Sequence, residues 1–409
     1  MQRDYNLSDR GLYEIAHSVR KGTNNSIKFE NKFNQKLKEC SQALDHFFEI
    51  IDFEFVTEKN NVITEKLEKG VVCTDLKGLI QYVTKCRDVN DVNVKFGIDG
   101  GGGFLKFCMS LQIPPQVEND EVGQKKKNCN KKFSDSGVKR LFIIFSASGV
   151  QENCHNISLI WSKLNINEEL KFGTLASDVK MIMITCGLQT NSCSHPCPYC
   201  DISKNDLQNC GCSRTVSGCR NDYKKWVKSG SVKKNAKDFN NCVNMPLLPM
   251  GDTKILCYIP PPELHLLLGA VNTVYDKMLS ECGSIVSEWA LKCHANRKCT
   301  HGSRYSFEGN DCNKLLNNIH LLDSGRTNLG ICKYIGFFKK LKLVVDECFG
   351  QKLDPQYKVY LKNLKQSFMD LEIPITPKLH IIFEHVSEFC EFNKLSNYET
   401  LLLHLSLFT

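Results

Sequence analysis

The sequence has no long apolar run. Nowhere in its 409 residues is there a stretch of the roughly 18 apolar residues that a membrane-spanning helix requires, so no membrane partner is expected. The opening segment MQRDYNLSDRGLYEIAHSVRKG holds no apolar core of signal-peptide length, which argues against export. No internal repeat and no long low-complexity tract is present, so repetitive architectures are set aside. Acidic charge is in modest deficit, 45 Asp and Glu against 53 Lys and Arg, for a net charge of +8. What remains is a soluble globular chain, 42% hydrophobic, able to bury a large core and long enough for two or three folding units.

Cysteine, by contrast, is abundant. Without an export signal, the 22 cysteines do not read as a disulfide framework, because reducing compartments keep thiols free. Some are expected to be metal ligands and most to be buried apolar filler. The basic charge is clustered: Lys125, Lys126, Lys127, Lys131 and Lys132 crowd one segment, and Lys224, Lys225, Lys233 and Lys234 crowd another. Either cluster could meet phosphates, and either could be a solvated basic loop.

Residues 7–56 place Leu12, Ile15, Ala16 and Val19, then Leu37, Ala43, Leu44, Phe47 and Phe48, at helical spacing around a GTNNS turn, so two helices are expected there. The segment VNVKFGIDGGGGFLKFCMSL reads as strand, tight turn and strand. RLFIIFSAS reads as a strand buried on both faces. QENCHNISLIWSKLN and LASDVKMIMITCGL read as helices covering the sheet. Four regions are expected: an N-terminal helical region (1–90), an α/β core (91–190), a Cys-rich basic insertion (191–250) and a helical region (251–409).

Two constellations carry chemistry. Asp99 closes a strand and is followed by four glycines, which would let a metal or phosphate approach the backbone, or simply serve a hairpin turn. Cys197 and Cys200 in HPCPYCD, with His380 and His385 in KLHIIFEH, form a two-thiolate, two-imidazole set suited to tetrahedral zinc. Thr376 and Pro377 look like the N-cap and first residue of the helix carrying both histidines. On a regular α-helix these two lie about 140° apart around the axis, so joint ligation needs side-chain reach or a distorted turn.

Cys-Pro-Tyr-Cys is also the dithiol pattern of thiol oxidoreductases, but that chemistry needs a following helix, and SKNDLQNCGCSR is polar and broken by glycine. Cys210, Cys212 and Cys219 offer another route, a local zinc site without the histidines.

These residues, taken from Asp99 to His385, resemble the core of the recombination-activating recombinase and its Transib and Chapaev-like DDE transposase relatives. The likeness is carried by SDVKMIMITCGLQTNSCSHPCPYCD, by ELHLLLGAVNTVYDKM, by EGNDCNKLL and by the H-x4-H pair. It implies an RNase H-like mixed sheet with flanking helices and a zinc-braced, mainly helical region. It also implies three carboxylates holding two Mg2+ or Mn2+ ions for DNA strand cleavage and transfer, double-stranded DNA as partner, a nuclear setting and dimeric action. Asp99 is the implied first acid. Glu152, just after the buried strand, is the first choice for the second and Asp178 the reserve; a helix N-terminal acid is the plain alternative for Glu152. Glu399 is the only acid near the family's third position, and the apolar run after it departs from the family pattern. The expectation is therefore a C-terminally truncated transposase relative, inactive in this form, or a non-enzymatic DNA- or protein-binding descendant.

Overall fold

In β3 (Asn93–Asp99) five consecutive residues, Val94 to Ile98, are buried, as in a strand covered on both faces. The chain turns through Gly101–Gly103 into β4 (Phe104–Gln112), antiparallel to β3 with Asn93 opposite Gln112 and Asp99 opposite Lys106. β5 (Phe142–Ser148) pairs antiparallel with β4, with a register shift between Phe107 and Cys108. The expected hairpin is present, and β5 forms where a strand was expected, but it is not buried on both faces throughout: Ile144, Phe145 and Ala147 are buried while Ile143 and Ser148 are exposed. The computed structural model describes residues 42–59, 62–86, 92–112, 141–171, 173–190, 193–301, 304–323, 329–349 and 353–393. Lys125, Lys126, Lys127, Lys131, Lys132 and Glu399 lie outside them.

Two segments differ from the expectation. Residues 48–73, placed in a helical region, form a hairpin of β1 (Phe48–Lys59) and β2 (Val62–Cys73), which joins the sheet where β2 pairs with β5. Burial alternates at Asp52, Phe53, Glu54 and Phe55, a period of two that the helical spacing of Phe47 and Phe48 obscured. Phe53 meets Phe145 edge-on at 5.5 Å. Gly70 makes room for this contact, since a Cβ there would lie 2.9 Å from the Phe145 ring. The first of the two expected N-terminal helices lies outside the described residues.

The second difference is at LASDVKM. Thr174–Ser177 form strand β6, parallel to β3, with Ile98 in register with Ser177; only then does a helix begin. The full order is β1-β2-β5-β4-β3-β6, a mixed six-stranded sheet. Helix α1 (Leu76–Cys86) buries Leu76, Leu79, Ile80 and Val83 on one stripe. Helices α2 (Cys154–Lys163) and α3 (Ile166–Leu170) make the crossover from β5 to β6, the connection a parallel pair requires. Buried Asn156 fastens α2 to the hairpin: its Oδ1 accepts from Val56 N at 2.8 Å and its Nδ2 donates to Val56 O at 2.8 Å.

Helix α4 (Val179–Thr185) leads into a largely irregular segment that contains the unexpected helix α5 (Val216–Lys228). Helices then dominate, as expected: α6 (Glu263–Cys282), α7 (Ser284–Lys292), α8 (Gly309–Asn317), α9 (Leu329–Cys348), α10 (Tyr357–Met369) and a last helix, α11, over 377–393. A two-stranded ribbon, β7 (Arg297–His301) with β8 (Arg304–Phe307), interrupts them. Helix α6 is buried along Leu266, Leu267, Ala270, Val271, Val274 and Met278, and Tyr275 meets Phe307 edge-on at 4.7 Å. Among the described residues, no helix is long and apolar enough to cross a membrane.

Candidate metal centre

Cys197, Cys200, His380 and His385 come together, all buried, with one ligand atom from each within 4.8 Å of the others. The thiols sit in a knuckle closed by the Cys200–Ser213 bridge and by Asp201, whose carboxylate accepts from Cys212 N at 2.7 Å. Arg214 reaches back so that its Nε donates to the carbonyls of Cys197 (3.1 Å) and Cys200 (2.9 Å). The imidazoles arrive on α11, which starts as its sequence predicts: Thr376 Oγ1 accepts from Leu379 N, and Pro377 occupies the first turn.

The 140° offset between the two histidines is removed by the backbone. Ile381–His385 adopt π geometry within α11, and the wider turn brings residues five apart onto one side. As a result, His380 Nε2 and His385 Nε2 each lie 3.3 Å from Cys200 Sγ. Both Nδ1 atoms are engaged elsewhere, His380 with Leu207 O at 2.9 Å and His385 with Glu388 Oε2 at 3.2 Å. This leaves the Nε2 atoms for a ligand, the outer arrangement that metal-binding histidines use. Lys254 Nζ holds the other oxygen of Glu388 at 2.7 Å.

The electrostatics match this geometry. A hydrogen bond from Cys197, followed by those from the two imidazoles, holds the Cys200 thiol far below its ordinary value, while burial pushes Cys197 up. Burial alone would depress His385, but its hydrogen bonds to Cys200 and Glu388 outweigh that and raise it. Two sulfur and two nitrogen donors at these separations can hold a metal ion such as zinc. Cys210 and Cys212 are exposed and take no part, and Cys219 is buried outside the group. The oxidoreductase pattern lacks its helix: residues 201–214 are irregular.

The candidate carboxylates gather at one edge of the sheet. Asp99 and Asp178 each stand one residue beyond the in-register pair Ile98 and Ser177 on neighbouring parallel strands, and Ser177 Oγ donates to Ile98 O at 2.6 Å. Asp178 is not within a helix, as its segment suggested, but is the N-cap of α4, accepting from Met181 N at 2.7 Å. Glu152 is paired with Lys180 and lies directly over Gly100, where an added Cβ would fall 1.6 Å from its Oε1. Among the described residues, no three of these acids converge as the Cys and His ligands do. Of the basic residues in the second cluster, Lys224 and Lys225 lie on α5 and Lys233 and Lys234 on the turn after it, all exposed. Lys225 pairs with Asp222 (3.4 Å) and Lys233 with Glu58 (2.9 Å).

Sequence patterning missed Lys95, which shares the Asp99 face of β3. Lys95 is 1% exposed, its Nζ is buried without a hydrogen-bond partner, and burial lowers its pKa to about 7 against the opposing charge of Glu263. A lysine in an otherwise apolar strand was the available signal. No known protein family and no curated protein matches this chain.

Proposed function

We propose that the chain is a zinc-braced polynucleotidyl transferase core of the DDE type, built on an RNase H-like sheet and acting on double-stranded DNA. The observation that carries this reading is the placement of Asp99 and Asp178 side by side at the ends of parallel strands β3 and β6. Carboxylates at the carboxyl ends of adjacent strands project toward a common ligand. The mixed β5-β4-β3-β6 sheet, three antiparallel strands followed by a parallel one reached through helices, is compatible with that reading. The register favours Asp178 over Glu152 as the partner of Asp99, with Glu152 over Gly100 and paired with Lys180.

The donor set fits hard divalent cations, which take carboxylate oxygens. A Mg2+ or Mn2+ ion bound there supplies the charge that activates an attacking water or 3′-hydroxyl and stabilises the leaving oxygen. Asp99 and Asp178 would hold the ion, and the open backbone at Gly103 would admit the phosphate. The exposed lysines on and after α5 contribute sequence-independent affinity for the DNA backbone. The zinc would be structural, tying the knuckle to α11 some 180 residues later.

The Glu152–Lys180 ion pair favours a second reading. With that carboxylate neutralised, the chain would keep the zinc-braced fold as a non-enzymatic DNA- or protein-binding descendant. Incubating the purified chain with supercoiled DNA and Mn2+ separates the two. Nicking that Asp99→Ala and Asp178→Ala each abolish supports the enzyme, and DNA binding without nicking supports the descendant.

A further inference from the structure

The sheet ends on one side at β1, which pairs with β2 alone among the described residues. In an antiparallel ladder alternate residues turn both main-chain groups away from the partner strand, and in β1 these are the even-numbered ones. At the C-terminal half of the edge they are already taken. Gln151 Oε1 accepts from Glu58 N at 2.7 Å, and its Nε2 donates to Glu58 O at 3.1 Å. Asn156 serves Val56 N and O in the same way, and Asn153 Nδ2 also donates to Val56 O at 2.9 Å. Three side-chain amides thus stand in for a neighbouring strand at Val56 and Glu58. Among the described residues no such cover reaches Ile50, Asp52 and Glu54, whose N–H and C=O groups face outward by the same parity.

Sheets usually guard an open edge with proline, a bulge or a covering element. β1 has neither proline nor bulge, its register with β2 being unbroken from Phe48 to Lys59. The side chains of Ile50, Asp52 and Glu54 share one exposed face, where Ile50 is 71% exposed and Val71, opposite it, 43%. Asp52 stands opposite Lys69 and Glu54 opposite Leu67, so Glu54 has no cation across its own ladder. The two strands carry six acidic residues against three lysines, in a chain whose net charge is +8. That local charge decides the occupant. Phosphates are repelled from it, and a second copy paired antiparallel over all three residues would set Asp52 against Asp52, which is destabilising.

We propose that the open half of β1 is a docking edge that takes a basic, extended segment of a partner protein as a further strand of the sheet. Main-chain bonds to Ile50, Asp52 and Glu54 supply the affinity, and the side chains beside them supply the selectivity, as in strand addition generally. Antiparallel pairing is the more stable per residue. In that direction the incoming strand reads basic, any, basic, any, apolar, so that its cations lie beside Glu54 and Asp52 and its apolar residue beside Ile50 and Val71. Opposite charges and apolar pairs at such cross-strand positions are both favourable. The amides of Gln151, Asn153 and Asn156 stop the added strand before Val56, which limits it to about five residues, roughly 17 Å of edge. This surface is independent of the carboxylate edge and of any DNA chemistry there.

The test uses the full zinc-loaded chain, a short soluble peptide with Lys-Thr-Lys-Thr-Val at its centre, and amide hydrogen exchange read by NMR. In the free chain the amides of Ile50, Asp52 and Glu54 should exchange fast, while those of Ile51 and Phe53, turned toward β2, are protected. Saturating peptide should slow the first three and leave the others as they are. Methylating the two lysine amides of the peptide, or replacing both lysines by glutamate, should weaken binding about tenfold or more. Ile50→Pro should do the same, since proline is tolerated where an edge N–H faces solvent. Should that variant not fold, Asp52→Lys combined with Glu54→Lys serves instead and should reverse the preference toward the glutamate peptide. Unchanged exchange at all three amides, or equal binding of the lysine and glutamate peptides, would overturn the proposal. Protection of the same amides in a dimer without peptide would overturn it too, by giving the edge to a second copy.

Discussion

His380 and His385 stand five residues apart on one helix, yet the Nε2 atoms of both lie 3.3 Å from the same sulfur, that of Cys200. A π turn over Ile381–His385 brings this about. Such a turn gives up regular helical hydrogen bonding and is found mostly at functional positions. Here the return is a closed set of four buried donors that joins residues far apart in the sequence.

Metal removal should therefore loosen the whole molecule. Binding only to the folded state stabilises by about 2.7 kcal/mol at a hundredfold excess over Kd. A chelator should lower the Tm by roughly 3 °C in a chain of 409 residues, and Cys200→Ser should reproduce the loss. Calorimetry with and without 1,10-phenanthroline, alongside metal analysis, checks this; one zinc per chain is expected, and a Tm indifferent to chelation would contradict it.

Glu388 orients His385 and is held in turn by Lys254. Its hydrogen bond from His385, and then the lysine, hold the carboxyl down at about 2, so it stays ionised throughout the range in which the protein is handled. Glu388→Gln keeps the shape but removes the charge, and metal affinity should fall about 10–100-fold. Competition with a chromophoric zinc chelator measures the change; unaltered affinity would show that the imidazole needs no such partner.

At Gly100 the obstacle to a side chain is the flexible end of Glu152 rather than backbone. Gly100→Ala should displace that carboxylate and break its ion pair with Lys180, at a cost in stability of about 1 kcal/mol or less, because exposed ion pairs contribute little. If the edge is catalytic, Mn2+-dependent nicking should drop at least tenfold while the Tm barely moves. A large fall in Tm with no effect on DNA chemistry would place Gly100 in the fold alone.

Lys95 gives a pH signature. Its folded pKa of about 7 lies below the ordinary 10.5, so between these values the unfolded chain binds more protons and stability rises with pH. Below about pH 7 both states are charged and the full cost of burial applies. Relative to Lys95→Met, the native chain should gain up to roughly 1.4 kcal/mol per pH unit above pH 7. Urea unfolding of both proteins at pH 7 and pH 9 tests it; parallel profiles would mean the ammonium is better solvated than its surroundings allow.

Much of the sheet was legible because its signals are local. The apolar run 142–148 and the glycine-broken hairpin at 93–112 announce strands whatever surrounds them. The Cys-x-x-Cys and H-x4-H spacings, with the Thr376 cap, likewise named a ligand set before any geometry. The hairpin at 48–73 was misread because Phe47 and Phe48 fit a helical period as well as an alternating one, and only pairing with β5 decides between them. Strand β6 was missed because its four residues run into a helix, and its identity comes from β3 alongside it.

The sequence by itself determined which donors are available: two thiols, two imidazoles and a carboxylate at a strand's end, each fixed by residue type and short-range spacing. Tertiary structure alone decided how they meet. It wound one turn of α11 wide enough to align His380 with His385, set Asp178 rather than Glu152 level with Asp99, and buried Arg214 against the carbonyls of Cys197 and Cys200. Those outcomes depend on strand register, helix pitch and buried charge, which are properties of contacts between segments distant in the chain and leave no periodic trace along it.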